Sequence, residues 1–191
     1  MKPISTLLAV ILLAGNYGIA RPVFADPPIV DVRKDWEDLE DETAGFAIEI
    51  PTGQVREEVQ SLDTELGETD LYLIVVDREP HAYLVGYSDF PEVLAVMPTQ
   101  TLLMETKAGL TSNAKRRLAD DREIEIDGYP GFDLFYEATD GLTYRHRIVL
   151  VDRRLYQIIA ATSEVEDNED LFEEWEDDAD RFIDSFELVE D

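Results

Sequence analysis

The chain has 191 residues, 44 of them acidic against 16 basic, no cysteine, and a formal charge of −28. Disulfides, thiolate catalysis and thiolate metal sites are thereby excluded, and so much negative charge argues against nucleic acid and anionic lipid as partners. Hydrophobic residues make up 45% of the chain, enough to build one sizeable core and to argue against global disorder.

Residues 1–25 read as a signal peptide: Lys2 precedes a mostly apolar run from Ile4 to Ala20, and Val23 and Ala25 stand at the small-residue positions before a cleavage point. Gly15, Asn16 and Gly18 interrupt the run, so no membrane span is expected once it is removed, and with no cysteine after it the lipoprotein route is closed. Cleavage between Ala25 and Asp26 would deliver the protein to a periplasm, the extracellular space or a thylakoid lumen. Lys2 and Arg21 leave with the leader, so the mature 166 residues carry 14 basic and 44 acidic groups, a charge of −30. Such self-repulsion suits a soluble monomer.

Residues 26–44 form an acidic N-terminal arm, and residues 45–191 a single domain. Within the arm, Pro27 and Pro28 keep the chain extended, while Trp36 and Leu39, three apart, predict either a short helical turn laid on the domain or a plain linker. From Gly45 the texture is that of strands. Phe46, Ile48 and Ile50 alternate with Ala47 and Glu49. Val55 to Leu66 is acidic and fits an edge strand, and Leu71 to Val76, apolar on both faces, fits a central one. His81 to Phe90 returns with Tyr83, Val85 and Tyr87 on one side.

A helix is predicted over Pro98 to Ala114, with Lys115, Arg116 and Arg117 at its negative end. Strands follow at Arg122–Ile126, Phe132–Glu137, Leu142–Val151 and Leu155–Thr162, joined by hairpin turns at Asp127-Gly128, Asp140-Gly141 and Asp152-Arg153. A three-residue loop at Thr139-Asp140-Gly141, with Gly141 left-handed, sets Asp133 opposite Arg147 and Phe135 opposite Arg145. It also places His146 on the face of Phe132, Leu134 and Tyr136, and leaves the two arginines as charge partners on an acidic outer face. A second helix, Asn168 to Ser185, turns Leu171, Trp175, Ala179, Phe182 and Phe186 inward and its acidic residues and Arg181 to water.

Several strings in this order of elements resemble the PsbP/Mog1-like superfamily, including its small exported bacterial (possibly cyanobacterial) members. They are Gly45-Phe46, Ala82-Tyr83-Leu84-Val85-Gly86-Tyr87-Ser88-Asp89-Phe90-Pro91, Gly128-Tyr129-Pro130-Gly131, Arg154-Leu155-Tyr156-Gln157 and Arg181-Phe182-Ile183-Asp184-Ser185-Phe186. The resemblance implies an α+β fold, an antiparallel β-sheet flanked by helices, and non-enzymatic work in binding or assembly, such as the extrinsic support of photosystem II by one branch. That branch is pictured docking through basic residues, whereas this chain is acidic.

Residues that could carry chemistry are few. His81, expected as a solvated turn residue, and His146, expected as a partly buried strand residue beside tyrosines, have no histidine or cysteine at metal-ligand spacing. No serine sits in a nucleophile context, and no catalytic residue is assigned. Glu166 to Asp170 lacks the glycine and closing spacing of a calcium loop, so no cofactor is expected beyond weak, nonspecific binding of Ca2+ or another divalent cation. The tyrosines of the predicted strands are core residues or, alternatively, the walls of a groove for an apolar ligand. The leading expectation is an exported, non-catalytic binding or assembly module acting through protein–protein contacts. Its partner would be a basic protein surface or an envelope or thylakoid protein complex, met by Glu173, Glu174, Asp177 and Asp184 on the second helix. The alternatives are a carboxylate-dependent hydrolase and a carrier of a small apolar ligand.

Overall fold

The alternation that begins at Gly45 becomes a succession of antiparallel strands. The computed structural model describes residues 36–189 apart from 65–66, 95, 118–120, 140 and 164–168. The leader, its cleavage point, most of the acidic arm, the helix-capping Asn168 and the middle residue of the Asp140 loop therefore lie outside the described residues. A three-stranded sheet runs β1 (Trp36–Asp41), β2 (Phe46–Pro51), β11 (Glu187–Leu188). An eight-stranded sheet is built from β3 (Gln54–Thr64), β4 (Gly67–Arg78), β5 (His81–Asp89), β6 (Ala114–Arg117), β7 (Arg122–Ile126), β8 (Tyr129–Ala138), β9 (Thr143–Val151) and β10 (Arg154–Thr162). Its order is β3-β4-β5-β10-β9-β8-β6, with β7 also paired to β8. Two α-helices, α1 (Thr99–Leu110) and α2 (Glu169–Asp184), and two single-turn 3-10 helices, Glu92–Leu94 and Thr111–Asn113, complete the described elements. None of these helices is long and apolar enough to cross a membrane.

Turn chemistry fixes the registers. Asp127 and Gly128 both take positive φ, 51° and 85°, which is the two-residue hairpin geometry that matches strand twist, and Ile126 faces Tyr129 across it. Across the β8–β9 hairpin, Asp133 pairs with Arg147, Leu134 with His146 and Phe135 with Arg145, with Gly141 at φ 88°. The register is the one the three-residue loop demands.

Because successive side chains on a strand point oppositely, the large sheet has two apolar faces and needs two covers. Leu71, Leu73, Val75, Phe132, Leu134, Ile148, Leu150 and Leu155 pack under Leu102 and Leu103 of α1. On the other face Val76, Tyr83, Val85, Val149, Tyr156 and Ile158 pack under Trp175, Ala179 and Phe182 of α2 and under Phe46, Ile48 and Ile50 of the small sheet. The fold is thus α+β and antiparallel. It is richer in sheet than a plain flanking by helices, because a second sheet shares one face with α2.

Six local expectations are corrected. Trp36 to Leu39 is strand, not a helical turn: β2 has an edge to offer, and pairing Trp36 with Pro51 and Asp41 with Phe46 satisfies backbone groups that an isolated turn would leave to water. The first helix stops at Leu110, where the Thr111 and Ser112 hydroxyls donate back to the Lys107 and Gly109 carbonyls at 2.9 and 2.7 Å. Lys115 to Arg117 then join β6, with Arg116 opposite Glu137 of β8, instead of following a helix end. Leu171 is exposed, and Phe172 packs on Trp175 in its place, ring centroids 5.4 Å apart. Asp178, expected at the water-facing side of α2, is buried. His81 opens β5, partly buried, with Nδ1 2.9 Å from the Thr162 hydroxyl and its ring 6.5 Å from Trp175.

One glycine is demanded by the packing of this sheet. A Cβ at Gly131 would stand 2.4 Å from the Ile148 carbonyl oxygen, a backbone atom that cannot rotate away. Gly131→Ala is expected to destabilise the domain by about 1–3 kcal/mol, the usual cost of overpacking, read as a lower urea midpoint at unchanged m-value.

Candidate functional site

The string Tyr144-Arg145-His146-Arg147-Ile148 lies on β9, so alternation sends both arginines to the face under α2 and His146 to the face under α1. Arg147 is buried there. Its Nε and Nη2 donate to the two carboxylate oxygens of Asp133 at 2.7 and 3.0 Å, Nη2 also to Asp184 at 2.9 Å, and Nη1 to the Ile183 carbonyl at 2.7 Å. Arg122 donates to the same Asp133 at 2.6 Å. Arg145 stacks its guanidinium 4.4 Å over the Phe135 ring and reaches Glu176 at 3.1 Å and Asp180 at 3.6 Å.

All of these except Glu176 line a groove of about 340 Å³ between β8, β9 and the last turn of α2. Burial alone would raise the pKa of Asp133, but the hydrogen bonds and charges of Arg147 and Arg122 outweigh it and hold the carboxyl below its ordinary value. The expected outer, solvent-facing position of Arg147 is therefore corrected. The register holds, but the side it points to is roofed by α2, and the arginine has become a buried tie between sheet and helix. Arg145 is half-buried under the same helix.

On the opposite face His146 is 2% exposed, its Nδ1 3.2 Å from the Tyr136 hydroxyl. Burial pushes its pKa down to about 4, against a smaller opposing effect of the Gln157 side chain, whose amide oxygen favours the charged form. An imidazole that stays neutral through the physiological range, enclosed among Leu134, Ile148 and the tyrosines, is a core residue.

The four helix residues singled out from the sequence, Glu173, Glu174, Asp177 and Asp184, are all exposed on α2. Glu173, Asp177 and Asp184 share one stripe with exposed Asp180 at spacings of four, three and four, and the stripe ends at the groove. Glu174 lies off the stripe, on the side of Tyr83, whose hydroxyl pKa rises through burial and then through the charges of Asp178 and Glu174. Sequence reasoning did not single out Asp133, Arg145, Arg147 and Asp180 as parts of one cluster. The signal was present, since the hairpin register already set Asp133 against Arg147, but which face α2 would cover was not in it.

Chemically the groove holds cations already committed to carboxylates, with no nucleophile beside a base. Among the described residues no three histidine, aspartate or glutamate side chains converge as a metal site.

No family model and no curated protein matches the chain. Among solved structures it is similar to the solution structure of cyanobacterial PsbP (CyanoP) from Synechocystis sp. PCC 6803, at 12% identity and a TM-score of 0.48, over 87% of this chain and 99% of that one.

Proposed function

We propose that the chain is an exported, non-catalytic binding or assembly module that docks a basic protein surface, on another protein or on an envelope or thylakoid complex, and needs no cofactor. The observation that carries this reading is the contrast within α2. Its inner side is sealed by packed aromatics and paired arginines, while Glu173, Asp177, Asp180 and Asp184 form a continuous acidic stripe on the outside. Tyr83, Tyr136 and Tyr156, which could have walled an apolar ligand site, are buried in the two cores. This favours the module over a carrier, and the pairing of the groove's carboxylates, Asp133, Asp180 and Asp184, with Arg147 and Arg145 favours it over a carboxylate-dependent hydrolase.

The test is affinity capture with the mature protein from its native envelope at low ionic strength, followed by a salt series on the captured pair. Exposed charges steer encounter and are screened over a Debye length of about 8 Å at physiological ionic strength. Association is expected to slow about ten-fold or more as salt rises, while the thermal midpoint of the isolated domain rises as its self-repulsion is screened. Association that ignores salt would remove the basic partner.

A further inference from the structure

The second surface with unspent binding capacity is the edge of the large sheet at β3. We infer that β3 receives an extended segment of the partner, in which apolar and basic residues alternate along one face of the strand, as a ninth strand. This inference rests on the proposed docking of a basic partner and says where and in what conformation that partner is held.

Four observations lead there. β3 is eleven residues long and ends the strand order, and among the described residues nothing pairs with its outer edge. Every second N–H and C=O along it is therefore turned away from β4. Val55 and Val59, on the same side of β3, are 47% and 60% exposed, and Val59 stands directly opposite Tyr72, itself 38% exposed. Tyr72 in turn stacks on Tyr87 of β5, centroids 4.7 Å apart and planes 8° from parallel, which fixes it as a rigid platform beside the valines. An apolar strip on an open, regular edge is the arrangement that strand addition uses: the main chain gives affinity and alternate side chains give specificity.

Charge identifies the occupant. Glu57 lies between Val55 and Val59 on the same side, is exposed, and makes no ion pair among the described residues. The cation of this edge, Arg56, is tied to Asp77 at 2.8 Å and to Glu58 at 2.5 Å. An incoming strand therefore meets apolar, acidic, apolar along the strip and matches it with apolar, basic, apolar. A second copy of the chain is disfavoured twice over: antiparallel pairing that sets Val55 against Val59 brings Glu57 onto its own mate, and each copy carries a formal charge of −28 before processing.

The experiment is an amide NMR titration of the mature protein, at low salt, with a blocked synthetic peptide that repeats Val-Thr-Lys-Thr, so that valine and lysine alternate along one face of the strand. Shifts and slowed amide exchange confined to alternate residues of β3, with affinity reduced at least ten-fold by Val59→Lys and by Glu57→Lys, are expected. Both substitutions are at exposed positions, and their folding is checked by the unchanged remainder of the spectrum. Perturbation of α2 at Glu173, Asp177 and Asp180 instead would overturn strand addition while leaving basic-partner docking intact. Absence of binding at low salt would overturn both. Alternate β3 amides that are protected before peptide is added would also overturn the inference; concentration dependence of that protection would assign the edge to a second copy, and its loss on removing residues 26–35 would assign it to the chain's own arm.

Discussion

Replacing Arg147 by methionine is expected to cost about 3–5 kcal/mol of stability, the range for breaking a buried ion pair from one side. The guanidinium answers three groups at once: both oxygens of the largely buried Asp133, one oxygen of the exposed Asp184, and the Ile183 carbonyl in the last turn of α2. That carbonyl is among those a helix end leaves without an internal partner, and a cation there also meets the negative end of the helix dipole. With methionine in place, Asp133 keeps only Arg122, whose side chain is 70% exposed and whose pairing is correspondingly weak. The single substitution thus strands a charge, and Arg147→Met combined with Asp133→Leu should recover much of the loss, because removing both partners of a buried pair is far cheaper than removing one. Urea unfolding of the two single variants and the double variant forms the cycle. Strict additivity of the two losses would show that the pair is not coupled and that Arg147 acts through packing alone.

The fate of that arginine also shows how far the sequence can be read. Hairpin chemistry is local: Asp127-Gly128 and Gly141 impose backbone angles that few residues besides glycine, asparagine and aspartate accept, so the registers of β7–β8 and β8–β9 follow from a few positions. The period of α2 was equally plain, and Trp175, Ala179 and Phe182 are fully buried as the spacing requires. What the sequence withheld is non-local. Whether Arg147 faces water or a helix depends on where α2 lands, its contacting residues lying 36 and 37 positions later in the chain. Whether Trp36 and Leu39 coil or extend depends on β2 having a free edge, and β6 takes Lys115 to Arg117 because β8 has one beside Tyr136 to Ala138. Propensity yields in each case to a neighbour that offers hydrogen-bond partners. The acidic stripe of α2 was legible from spacing alone, whereas the apolar edge of β3 was not, since exposure of Val55 and Val59 appears only when the covers of that face are seen to stop short of it.

Acid should weaken this domain through His146, against the general relief of self-repulsion that acid brings to so negative a chain. In the unfolded chain the imidazole titrates near 6.5, but in the folded protein burial under α1 lowers that value to about 4, the Gln157 side chain offsetting only part of the shift. Between those values the unfolded state binds a proton that the folded state refuses, so the contribution is fully present above pH 6.5 and is lost progressively as pH falls to about 4. At about 1.4 kcal/mol per pKa unit the loss amounts to roughly 3 kcal/mol. The carboxyls of Asp133 and Asp89, held below their usual values by bonds to arginines, add their own loss only at lower pH, as they are protonated in turn. Because net charge changes over the same range, wild type alone cannot isolate the histidine, and the measurement is the difference in unfolding free energy between wild type and His146→Gln. That difference should move by roughly 3 kcal/mol in favour of the variant between pH 7.5 and pH 4. A constant difference would mean that the histidine is protonated in the folded state as easily as in the unfolded one. The Tyr136 contact at 3.2 Å would then belong to an imidazolium, with its hydroxyl accepting, and the face under α1 would hold a charge instead of a neutral core residue.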